Sequence, residues 1–109
     1  MKIGGGVNKE IFDGFISNGN RLYELGQYES AIKNYSAAAE LDPASAKARY
    51  NRGVAYEALG YYNNATEDYF AAVSLDPKFN PACRRLDFLQ PAASVTHIAE
   101  TCAQRQVVR

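Results

Sequence analysis

The stretch YNRGVAYEALGYYNNATEDYFAAVSLDP, residues 50–77, is a second version of ISNGNRLYELGQYESAIKNYSAAAELDP, residues 16–43. Laid over one another without a gap, Gly19 meets Gly53, Gly26 meets Gly60, Tyr28 meets Tyr62 and Ala31 meets Ala65. Tyr35 then meets Tyr69, Ala38 meets Ala72, and Leu41-Asp42-Pro43 meets Leu75-Asp76-Pro77. The step is 34 residues throughout. A fixed period of this length marks a chain built by stacking one small unit on copies of itself.

Each unit reads as two helices. In the first, Ile11, Phe12, Phe15, Leu22 and Leu25 recur mostly at steps of three, four and seven, as one buried helical face requires, and predict a helix over residues 9–25. Gly14 and Gly19 each cost that helix ~1 kcal/mol against Ala. The return expected from Gly19 is close approach of a neighbouring helix, with Ala31 facing it. Gly26 closes the helix, since glycine accepts the left-handed conformation found there. Gln27 alone then connects to a second helix over residues 28–40, which must fold back antiparallel. Its inward stripe is Tyr28, Ala31, Ile32, Tyr35, Ala38 and Leu41, and Pro43 stops it. Ser45 offers an N-cap hydroxyl to the next unit.

The second unit repeats the plan, with helices over residues 46–59 and 62–75, closed by Gly60 and Asp76-Pro77. A third begins with Asn80 as cap, Pro81 in the first turn and an inward face of Ala82, Cys83, Leu86 and Leu89. Pro91 then arrives one turn too early for a full partner. Val95, Ile98, Ala99, Cys102 and Ala103 keep helical spacing, so a short terminal helix is expected over residues 93–106. The chain divides into a flexible arm (1–8), two repeats (9–43 and 44–77), a third-repeat first helix or capping helix (78–90) and a degenerate C-terminal helix and tail (91–109).

These residues resemble the tetratricopeptide repeat, a helix-turn-helix unit of this period. The resemblance rests on Gly19/Gly53, Tyr56, Ala31/Ala65, Tyr35/Tyr69, Ala38/Ala72 and Pro43/Pro77, and covers residues 13–90. The first unit departs at Asn18, where the family has Leu, and the third has Asp87 where Gly is usual. The resemblance implies an all-α fold, an α-solenoid of antiparallel helix pairs. About three units are normally needed for a stable stack, so modest stability is expected, and a homodimer that hides an open end.

The resemblance also implies a non-enzymatic protein-binding scaffold, adaptor or co-chaperone-like. In this family the first helix of each pair lines a concave groove for an extended peptide or a partner helix. Carried onto this chain, the groove wall is Ile16, Asn20, Tyr23, Lys47, Tyr50, Asn51, Val54, Arg84, Arg85 and Phe88, with Asp13 and Glu57 near its edges. Three cations there favour an acidic partner or one ending in a carboxylate. Asn20, Asn51 and Arg85 fall where the chaperone-tail binders of the family grip a terminal carboxylate. The two lysines of that clamp are replaced by Ile16 and Pro81, so a shallow groove of different specificity is expected. The alternative is a self-assembling module that oligomerises through Phe88 and residues 93–106.

Other chemistries find little support. Twelve basic and twelve acidic side chains cancel, so no net field draws the chain onto nucleic acid or an anionic membrane. Eight tyrosines suggest base stacking, but Tyr28, Tyr35, Tyr56, Tyr62 and Tyr69 fall on inter-helix positions. Tyr23, Tyr50 and Phe88 are those packing explains least. Gly4-Gly5-Gly6 lacks the Gly-Lys-Ser/Thr of a phosphate loop. With His97 as the single histidine, neither a metal site nor a Cys102–His97 nucleophile pair is expected, and no cofactor is implied. Glu29, Glu40, Glu67 and Asp68 read as a solvated outer face. Asn34-Tyr35-Ser36 and Asn64-Ala65-Thr66 match the glycosylation sequon inside predicted helices. Residues 1–7 have no apolar core of an export signal, which points to the cytoplasm and to Cys83 and Cys102 as reduced thiols.

Overall fold

A computed structural model describes residues 5–89, with side chains from residue 9 onward. Five helices follow one another: α1 Gly5–Glu24, α2 Tyr28–Leu41, α3 Ala46–Ala58, α4 Tyr62–Leu75 and α5 Asn80–Leu89. Helix α1 starts four residues before the expected position 9, because glycine raises the cost of a helix without forbidding it. Residues 91–109, with the expected terminal helix, His97 and Cys102, lie outside the described residues.

Both connections within a pair close on the same hydrogen bonds. Gly26 has φ +81° and Gly60 φ +84°. The Gly26 amide donates to Tyr23 O at 2.9 Å and the Gln27 amide to Leu22 O at 2.8 Å. Gly60 and Tyr61 donate likewise to Glu57 O and Tyr56 O, both at 2.9 Å. These paired bonds form a Schellman motif, which satisfies the last carbonyls and reverses the chain within two residues. The turns between pairs also repeat. Asp42 Oδ1 accepts from the Ala44 amide at 3.2 Å, and Asp76 Oδ1 from the Lys78 amide at 3.1 Å. Ser45 Oγ caps α3 by accepting from the Ala48 amide at 3.1 Å.

Pair geometry follows from which residues meet. Tyr23 and Tyr28 have ring centroids 5.1 Å apart, and Asn20 meets Tyr35. Moving back along α1 therefore means moving forward along α2, so the two are antiparallel. Tyr56 with Tyr61 and Gly53 with Tyr69 show the same for α3 and α4. The main packing is between consecutive helices, α1 with α2 through to α4 with α5. That is the nearest-neighbour arrangement of an α-solenoid.

Two cores result. Ile16, Ala31, Tyr35, Ala38, Ala39, Ala48 and Ala55 form the first, and Ala46, Ala65, Tyr69, Ala72, Val73, Ala82, Cys83 and Leu86 the second. Alanine dominates because each helix is flanked on two sides and large side chains would hold the backbones apart. Several expected core positions are outside. Leu25 is 63% and Tyr62 55% exposed, and Ile11 is also exposed. Each lies at or near a helix end or on the first helix, where no further helix among the described residues covers it. Cys83 is buried in the second core.

Candidate partner-binding groove

The crossing glycines set the geometry of the groove. A Cβ at Gly53 would stand 2.8 Å from Tyr69 Cε1 and 3.2 Å from Asp68 Cβ. One at Gly19 would meet the Tyr35 ring, 2.7 Å from Cδ1 and nearer still to Cε1. The glycine therefore makes room for a tyrosine ring, and not for Ala31 as the spacing suggested. The ring passes beneath the first helix and delivers its hydroxyl to that helix's groove side.

What receives the hydroxyl differs between the units. Tyr35 Oη donates to Asn20 Oδ1 at 2.6 Å. At the equivalent of Asn20 the second unit has Val54, which cannot accept. Tyr69 Oη donates instead to Oε1 of Glu57, the equivalent of Tyr23 in the first unit, at 2.7 Å. Burial pushes the Tyr35 hydroxyl up to about 12 from 10.0, and burial with the Glu57 hydrogen bond raises Tyr69 as well.

Glu57 is shared. Arg85 Nε donates to Glu57 Oε1 at 3.2 Å and Nη2 donates to Oε2, a bidentate pair joining α3 to α5. The Glu57 hydrogen bond holds Arg85 above its usual pKa, against some desolvation. The same guanidinium lies 4.9 Å from the ring centroid of Phe88, which is 69% exposed. Beside this pair is an open pocket of about 360 Å³, lined by Tyr23, Tyr50, Val54, Glu57, Ala58 and Arg85. Every lining residue comes from α1, α3 or α5, the first helices of the units.

The family model described as TPR repeat matches residues 19–60, and that described as Tetratricopeptide repeat matches residues 46–79. Together they span more than half of the chain. It belongs to the tetratricopeptide repeat family. Members of this family generally mediate protein–protein interactions. No individual protein of curated function matches the chain.

Against this repeat frame the ten expected groove residues separate. Tyr23, Tyr50, Val54 and Arg85 meet at the pocket. Ile16 is 4% exposed and belongs to the first core, so it supports the wall from behind. Asn20 is on the surface with its carbonyl oxygen taken by Tyr35. Lys47 and Arg84 are exposed and Asn51 is half-buried, none of them lining the pocket. Tyr50 has packing partners, Tyr69 at 5.6 Å and Phe79 edge-on at 5.3 Å. Phe79 stands one period after Ser45, the N-cap of α3.

Two features escaped the sequence reading. Glu57 reads as an edge residue until the Val54 substitution is seen to leave Tyr69 without an acceptor. Asp68 is 4% exposed, not on a solvated face. Arg52 Nε and Nη2 donate to its two carboxylate oxygens at 2.8 Å each, and Nη1 donates to Ser36 Oγ at 3.0 Å. The Asp68 hydrogen bonds raise the Arg52 pKa. The first unit has Asn18 and Asn34 in these places, so superposing the units hides the pair.

Proposed function

We propose that this chain is a non-enzymatic adaptor that holds an extended peptide or a partner helix along α1, α3 and α5. The observation that carries this is the origin of the pocket's lining, drawn entirely from the first helices of the stack. Aromatic side walls with a few oriented polar groups are the usual make-up of a surface that anchors a partner side chain. An acidic segment would be met by Lys47 and Arg84, which are exposed on α3 and α5. Arg85 contributes less to such a partner, because Glu57 already engages it. A co-chaperone role would require that free carboxylate grip and has no separate support.

No helix among the described residues is long and apolar enough to cross a membrane. Self-assembly through residues 93–106 concerns a segment outside the described residues. The exposed ring of Phe88, just before it, is what favours that second reading.

The test is a display selection of random peptides against the full chain, followed by titration of the recovered peptides. Ala58 is exposed at the pocket's edge, so Ala58→Arg fills the site from outside the core. The adaptor reading predicts converging sequences whose affinity falls at least about tenfold in the variant, as loss of one anchoring side chain would give. No convergence, or equal affinity for both proteins, would contradict it.

A further inference from the structure

The charges in the groove pocket are already matched to each other. A guanidinium offers a carboxylate two parallel N–H groups along one edge, and Glu57 occupies the Nε–Nη2 edge of Arg85. Tyr69 Oη fixes the same carboxylate from α4, and the Phe88 ring lies against the guanidinium. Glu57 is thus held from α4 and α5 while projecting from α3. A second carboxylate arriving at Arg85 meets the Glu57 charge beside it, and the two anions repel. The surfaces left open to a partner are the Tyr23 and Tyr50 rings and the Val54 and Ala58 side chains.

We infer that Glu57 selects what this pocket accepts: an uncharged apolar side chain against Tyr23, Tyr50 and Val54, with carboxylates turned away while Glu57 holds Arg85. The inference rests on the adaptor reading of the same groove and adds the class of side chain it takes. The selecting charge is particular to the second unit. Where the first has Asn20 and Tyr23, the second has Val54 and Glu57, an apolar wall facing the chain's own counter-ion for Arg85. A volume of about 360 Å³ suits one side chain at the small end of binding pockets, and not a long segment.

N-acetyl-leucinamide and N-acetyl-leucine differ only in that the second carries a carboxylate, so they serve as probes. Each is titrated into the ¹⁵N-labelled full chain, following the amides of Val54, Ala58 and Arg85. In wild type the amide probe shifts these signals at lower concentration than the carboxylate probe. Glu57→Gln keeps an oxygen for Tyr69 but removes the charge. It strengthens the carboxylate probe about ten- to a hundredfold, the worth of a hydrogen-bonded charge. Adding Arg85→Gln abolishes that gain. Far-UV circular dichroism melts confirm that each variant is folded, and wild-type selectivity between the probes stands as a test that needs no variant. Equal binding of both probes by wild type, or no gain in Glu57→Gln, overturns the role of Glu57 and leaves the groove in place. If neither probe moves the pocket amides in any protein, the pocket is not a binding site and the adaptor reading loses its carrying observation too.

Discussion

Gly14 in α1 and Gly53 in α3 have opposite consequences for stability. Gly14 has nothing within 4 Å of where a Cβ would stand. Gly14→Ala should therefore raise stability by ~1 kcal/mol through helix propensity alone. Gly53→Ala should cost ~1–3 kcal/mol, because the new carbon meets the Tyr69 ring and the buried Asp68. Thermal melts of the two variants check the pair, and a Gly53→Ala protein as stable as wild type would refute the contact. The tyrosine against Gly19 also sets a pH dependence. Tyr35 keeps its proton to about 12 when folded, against 10.0 unpaired. Folding is then favoured fully below pH 10, and stability falls as pH rises from there towards 12, since only the unfolded chain releases the proton. Melts between pH 8 and pH 11.5 should show this fall, with a shallower slope in Tyr35→Phe. The glycine-tyrosine pairing was legible as a repeat, but its direction was not. Spacing says that a small residue is needed, and only the ring position says for what.

At the level of helices, the ends were the most legible features. Gly26, Gly60, Pro43, Pro77 and Ser45 act through their own backbone or a side chain three residues away, so local sequence determines them. Contacts between units were less so. Arg52 fastens α3 to Asp68 on α4 and to Ser36 on α2, and its partners lie sixteen residues away in both directions. Neither the repeat nor the charge pattern announces it. Arg52→Ala leaves a buried carboxylate without its counter-ion and should destabilise the chain by ~3 kcal/mol. Adding Asp68→Ala should restore part of that loss, because the unpaired charge goes with it. Denaturant titrations of the two single variants and the double test this. Additive losses would mean that the ion pair does not couple the helices.

At the scale of the molecule, the described residues form a short stack whose units differ at the pocket. The closing glycines, the Asp-Pro turns and the tyrosine beneath each crossing glycine repeat, while Asn20 and Tyr23 become Val54 and Glu57 one unit later. The all-α solenoid was therefore readable from the period alone. Of the residues expected on a groove wall, Tyr23, Tyr50, Val54 and Arg85 line one pocket, whereas Ile16 turns inward and Glu57 pairs with the Arg85 cation expected to meet a partner. Repeat arithmetic locates a position in the stack. It does not say which neighbour claims the side chain there. The most direct test of the adaptor account is capture from source-cell lysate with the wild-type chain and Ala58→Arg, after matching their melting curves. The account predicts a partner retained by wild type and lost from the variant. Identical partners on both, or retention of nothing except further copies of the chain itself, would contradict it.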